Sequence, residues 1–140
     1  MADFDKIQVL QAKKILVRSL LDSPVKLKLI TNNDKGLDKE ISDKSLYRPQ
    51  LALTGFVELF NAKRIQIFGN TEFFYLKNQT LEYRINAFKT LIDFKIPCII
   101  LTNNLELEPE LLKIANENNI AVFKTPFNTT KTHYLLSEYL

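Results

Sequence analysis

The chain has no tryptophan, one cysteine, one histidine and only three glycines, and each shortage removes a class of function. A lone thiol, Cys98, can form no disulfide within the chain and rules out a cysteine-rich zinc site. With His133 as the single imidazole, a metal site would have to be built mostly from carboxylates and carbonyls. The glycines do not fall in a phosphate-cradling pattern. Gly-x-x-x-x-Gly-Lys-Ser/Thr and Gly-x-Gly-x-x-Gly are both absent, as are a serine nucleophile elbow, paired histidines and Cys-x-x-Cys. No apolar run approaches the roughly 20 residues that cross a bilayer. The start, Met1-Ala2-Asp3-Phe4-Asp5-Lys6, is too acidic for a signal peptide. The expected location is the cytoplasm, with no membrane partner.

What the chain does have is an ordinary core composition. It holds 140 residues, 46% of them hydrophobic, enough to bury a core without staples and the usual size of one domain. The net charge of +3 is spread among acids, as in Asp38-Lys39-Glu40, and forms no basic patch, so nucleic acid is not an expected partner.

The apolar spacing of Phe4, Ile7, Leu10, Ile15, Leu16 and Leu20 predicts a helix, stopped at Asp22-Ser23-Pro24. Alternation over 25–30 predicts a half-buried strand, 32–36 a turn, and 37–41 a short extended piece. Residues 51–60 read as a short helix bent near Gly55. From Ile65 the pattern becomes regular. A strand over 65–68 ends at Gly69, and Asn70-Thr71-Glu72 offers caps for a following helical turn. Residues 81–94 carry helical spacing, and 97–101 form a continuous apolar run, as in a strand buried on both faces. Pro109 suits the first position of a helix packed through Leu111, Leu112, Ile114 and Ala115, which Asn118-Asn119 ends. A strand follows over 120–123, and Thr129 or Thr130 caps a last helix through Tyr139. Alternating strands and helices predict an α/β fold, a mostly parallel sheet flanked by helices, in one domain over 1–140.

Three places could meet a ligand. Gly69, Asn70, Thr71 and Glu72 form a strand-to-helix turn that can present free amides to an anion. Arg48, fixed beside Pro49 and followed by Gln50, can clamp a carboxylate or phosphate, or pair with a buried acid of its own domain. Thr125, Thr129, Thr130 and Thr132 supply hydroxyls that cap helices more often than they bind substrates. Cys98 and His133 read as structural. No residue reads as catalytic and none as a metal ligand.

Four ordered blocks resemble the amino-terminal domain of HPr kinase/phosphorylases. Gly36-Leu37 through Ile41, then Tyr47-Arg48-Pro49-Gln50-Leu51-Ala52-Leu53-Thr54-Gly55, resembles that family's Gly-Leu…Ile…Arg-Pro-Gly-Leu-x-Leu-Ala-Gly stretch. Arg64-Ile65-Gln66-Ile67-Phe68-Gly69-Asn70-Thr71-Glu72 is similar to its Arg-Ile-Gln-Ile-Leu-Gly-x-Thr-Glu block. Pro97 to Thr102 with Leu105, Pro109-Glu110-Leu111-Leu112 and Ala115 resembles the third block, and Thr125, Thr129, Tyr139 and Leu140 the fourth. Two departures stand out: Gln50 where the family has Gly, and Thr54 where it has Ala.

The resemblance implies a fold similar to the UDP-sugar-binding amino-terminal domain of Mur ligases. It also implies a parent that is bifunctional, hexameric and part of carbon catabolite control through the sugar phosphotransferase system. Such a parent phosphorylates a serine of HPr with ATP and magnesium and reverses that step by phosphorolysis. The phosphate-binding loop, catalytic acids and HPr surface belong to a carboxy-terminal kinase domain that would begin after Leu140, so this chain is expected to need no cofactor itself. Its expected role is regulatory or assembly-related, with the kinase domain and further copies as partners. The alternatives are a stand-alone module for a nucleotide-sugar or phosphometabolite and a stand-alone interaction protein.

Overall fold

Apolar runs too short for helices and rich in isoleucine and valine pair side by side, because branched side chains pack well on a pleated surface. The structure, a computed structural model, describes residues 14–32 and 34–140. Its strands are β1 (Ile15–Leu16), β2 (Lys28–Leu29), β3 (Glu40–Ile41), β4 (Leu46–Tyr47), β5 (Ile65–Phe68), β6 (Cys98–Leu101) and β7 (Ala121–Lys124). Its α-helices are α1 (Gln50–Leu53), α2 (Asn70–Lys77), α3 (Leu81–Asp93), α4 (Pro109–Glu117) and α5 (Thr129–Tyr139). The main sheet runs β2-β7-β6-β5-β4, parallel throughout except for antiparallel β2, while β1 and β3 pair antiparallel by themselves.

The three long strands send alternate side chains to two cores. Phe68, Ile99, Leu101 and Val122 face Phe88, Leu91, Leu111 and Ala115 of α3 and α4. Ile65, Ile67, Ile100 and Phe123 face Val17, Leu20, Leu37, Ile41 and Leu136 on the other side. Each fully buried side chain of this kind contributes about 1.5–3 kcal/mol. The chain therefore leaves β5 and β6 toward one face and β7 toward the other, so the loops diverge at the carboxyl ends of the parallel strands. In α/β sheets such divergence opens a crevice.

The expected α/β fold with a mostly parallel sheet is what forms, and the strands and helices from Ile65 onward fall within a residue or two of the sequence reading. The exception is the helical turn expected after Asn70-Thr71-Glu72, which is the eight-residue α2, beginning at Asn70 and capped by Gly69. Nearer the amino terminus several expectations are corrected. Of the helix expected from Phe4 to Leu20, residues 4–13 lie outside the described residues. The remainder is β1 followed by a 3-10 helix, Val17–Asp22. Val17 donates its N–H to Lys39 across the β1–β3 pair at 2.9 Å, and Val17 and Leu20, three apart, are both buried, which is the 3-10 period.

The strand over 25–30 shrinks to β2 because Lys26 takes a left-handed φ of 58°. The predicted turn region contains a 3-10 helix, Asp34–Asp38, leading into β3. The helix over 51–60 is only α1: Gly55, at φ +98°, closes it, a conformation glycine adopts without steric cost. Neither Thr129 nor Thr130 caps α5. Asn128 does, its side-chain oxygen accepting from Lys131 N at 2.8 Å.

Candidate functional site

At the carboxyl edge of the sheet, β4 ends at Tyr47 and delivers Arg48. Pro49 then turns the chain so that Gln50 opens α1. One strand over, β5 ends at Phe68, Gly69 caps α2, and Glu72 sits in the first turn of that helix. The Glu72 side chain folds back over its own helix start, where the macrodipole favours negative charge. Its Oε1 accepts from Gly69 N at 2.6 Å, from Arg48 Nη2 at 2.9 Å and from Arg48 Nε at 3.2 Å. Its Oε2 accepts from Gln50 Nε2 at 3.0 Å.

Glu72 is enclosed, with 0% of its side chain exposed, whereas Arg48 keeps 38%. A carboxylate has about four acceptor positions, and four donors converge on this one. Three of them fall on Oε1 and one on Oε2, and the side chain is enclosed, so the carboxylate is spent on its own chain rather than turned toward solvent. The arrangement ties the end of β4 and the starts of α1 and α2 into one latch.

The neighbouring strands add hydroxyls. Thr102 follows β6 and shares a 2.8 Å hydrogen bond with Thr129 at the start of α5. Asn103 Nδ2 donates to Thr102 Oγ1 at 3.3 Å. Thr125, after β7, donates to the Val25 carbonyl at 2.7 Å and accepts from Phe127 N at 3.2 Å. Gly69 is where latch and hydroxyls meet. A Cβ there would stand 2.5 Å from Thr129 Oγ1, 2.8 Å from Arg48 Nη2 and 3.4 Å from Thr102 Oγ1, so glycine is required by space rather than by backbone angle.

Of the residues singled out from sequence, Arg48, Gln50, Gly69 and Glu72 are thus brought together, through bonds to one another. Asn70 and Thr71 lie exposed in the first turn of α2, and Thr130 and His133 are exposed on α5. Thr132 is buried, its hydroxyl without a hydrogen-bond partner. Cys98 is buried in β6, where loss of water pushes its thiol far above the usual range. Thr102 and Asn103 were not anticipated. The available signal was a hydroxyl residue directly after a buried strand, a position shared by Thr102 and Thr125. Among the described residues no group of three or more His, Cys, Asp or Glu is placed to hold a metal ion.

The fold and this edge define an α/β domain whose strand-end polar residues are locked together. The family model "HPr Serine kinase N terminus" matches residues 15–140, and the chain belongs to that family. It is 47% identical over 116 residues to an HPr kinase/phosphorylase of Chlorobium phaeobacteroides, covering 83% of this chain and 36% of that protein. Its identity to the Prosthecochloris aestuarii enzyme of the same name is also 47%, covering 83% of this chain and 34% of the relative. The chain therefore spans about a third of the length of the relatives it matches. In fold it is similar to the regulatory region, CBS and DRTGG domains, of Clostridium perfringens pyrophosphatase, crystallised with its activator diadenosine tetraphosphate. The TM-score is 0.61 at 20% identity, covering 87% of this chain and 46% of that one.

Proposed function

We propose that this domain is a non-catalytic regulatory and assembly domain of an HPr kinase/phosphorylase acting in the cytoplasm in carbon catabolite control. The observation that carries the reading is the Glu72 latch. The family block around Gly69 and the one around Arg48 meet in an enclosed carboxylate held by four donors of its own chain, an arrangement suited to stabilising architecture. ATP, magnesium and HPr are then the business of a kinase domain covalently joined to this one, and the partners of this domain are that kinase domain and other copies of the protein. Incubating the chain alone with HPr and magnesium-ATP tests the non-catalytic half, with phosphoserine as the readout. None is expected, and ATP-dependent phosphoserine would overturn it.

A second reading is favoured by one specific observation: Arg48, Thr129 and Thr102 gather around Gly69 at the carboxyl edge of the sheet, and Arg48 keeps 38% of its side chain exposed although it is paired with Glu72. Donors so grouped suit a phosphate, and this reading makes the edge a site for a nucleotide-sugar or phosphometabolite, the ligand class that the sequence resemblance implies through its expected Mur-ligase-like fold. Asn70 and Thr71, exposed one turn away, would border it. A thermal-shift series with UDP-sugars, fructose bisphosphate and ATP tests it. Stabilisation at millimolar ligand that Thr129→Val abolishes is expected, and no shift with any of the three refutes it.

A further inference from the structure

A cavity of about 440 Å³ opens beside the carboxyl ends of β5 and β6, on the face covered by α2, α3 and α4. It is a cleft open on one side to solvent, and its volume falls in the range of about 300 to 1,000 Å³ in which small-ligand sites run. The place matters as much as the size. Phe68 and Leu101, which line the cavity, are the last residues of their strands, and strand carboxyl ends are where α/β sheets hold ligands. Phe73 and Leu107 complete an apolar floor and wall.

Four charged side chains border this apolar space, and three are compensated. Glu108 accepts from Arg84 Nε at 2.6 Å and Nη2 at 3.0 Å, and Arg84 Nη1 also donates to the Gln79 carbonyl at 2.6 Å. Glu106 stands 3.6 Å from the Lys124 ammonium. Lys77, at the end of α2, has no carboxylate within ion-pairing distance among the described residues. The cavity thus combines apolar surface with one uncompensated ammonium, a complement to a molecule with an apolar body and one negative charge.

We propose that this cavity is a binding site for a small amphipathic monoanion, its apolar body lying against Phe68, Phe73 and Leu101 and its anionic head at Lys77. The site is separate from the Glu72 latch: Phe68 turns to the cavity and the adjacent Gly69 to the latch. The proposal goes beyond the regulatory reading and stands without it.

The test is a fluorescence titration of the full 140-residue chain with 1-anilinonaphthalene-8-sulfonate. A parallel titration uses N-phenyl-1-naphthylamine, which keeps the rings and lacks the charge. Saturable one-to-one binding of the sulfonate is expected, with a dissociation constant on the order of tens of micromolar. Lys77→Glu should weaken the sulfonate about tenfold while leaving the neutral amine within about twofold. Leu107→Trp, which fills the space, should abolish both. Amide NMR shifts on the unmutated protein serve as a check that needs no variant to fold, and they should cluster at residues lining the cavity. Displacement of the probe by 4-phenylbutyrate or by benzenesulfonate, both monoanions, supports the proposal and identifies the head group as carboxylate or sulfonate. Absent saturation, shifts elsewhere on the molecule, or equal effects of Lys77→Glu on both probes would each overturn it.

Discussion

Arg48–Glu72 and Arg84–Glu108 are the same two side-chain types 24 residues apart, gripping each other at the same edge of the sheet. Their surroundings differ. Glu72 has 0% of its side chain exposed and takes two further donors, from Gln50 and from the Gly69 backbone. Arg84 and Glu108 keep 20% and 28% exposure, and Glu108 borders a cavity. Pairing an ion is thus not what makes it structurally indispensable. An enclosed carboxylate depends wholly on its donors, because no water can replace them. A half-open one can be resolvated when its partner is lost.

The sharpest way to break this contrast is Glu72→Ala, which strips the acceptor from four donors at once. It should cost about 2–4 kcal/mol in urea unfolding, chiefly from the buried Gly69 N–H and the Gln50 and Arg48 donors left without an acceptor, and a loss under about 1 kcal/mol would show the latch to be dispensable. Gly69→Ala comes next, at about 1–3 kcal/mol, since the new methyl overlaps Thr129 Oγ1 and the Arg48 guanidinium, both of which can shift in part. Arg84→Leu should lower Tm by less than half as much as Glu72→Ala, although Glu108 holds the Arg84 guanidinium above its ordinary pKa through their hydrogen bond and charge. An equal loss for the two would erase the distinction between enclosed and open pairs.

The mildest effect belongs to a third and still more open pair. Asp43 accepts from Ser45 N at 3.0 Å and from Arg64 Nε at 3.1 Å, and these partners, the Ser45 N–H first, hold its carboxyl below the usual value. Its contribution is complete above the ordinary carboxylate pKa of about 4 and fades as pH falls through the depressed one. Asp43→Asn should therefore lower stability slightly near pH 7, where the contribution is complete, and converge with the unmutated protein in acid, removing a small part of the acid limb of a stability-versus-pH curve.

How much of this could be read from sequence follows the same division between local and distant contacts. From Ile65 onward, strands of four residues and helices of eight or more are long enough to show their period, and Pro109 and Asn118-Asn119 mark ends by local chemistry. Strands β1 to β4 have two residues each, too few to carry a period, and their existence is set by partners such as Ile41 for Ile15 and Gln66 for Tyr47. The candidate site was legible as residues and illegible as an arrangement. Arg48, Gln50, Gly69 and Glu72 each stood out, but only the fold shows that they spend their hydrogen bonds on one another.

Gln50 is the clearest case. Where the resemblance expects glycine it is the first residue of a right-handed helix, and its amide is the fourth donor to Glu72. The cavity carried no signal at all, because Phe68, Leu101 and Leu107 each look like ordinary core residues until three separate segments meet.

The measurement that bears most directly on a regulatory domain is removal of the matching first third from a full-length relative such as the Chlorobium phaeobacteroides HPr kinase/phosphorylase. The readout is HPr phosphorylation at saturating ATP and HPr, together with oligomeric state and the response to small metabolites. The account predicts that maximal turnover survives within about tenfold while assembly or metabolite response changes. A folded truncated enzyme that loses turnover altogether would contradict it, and so would one indistinguishable from the intact protein in all three properties.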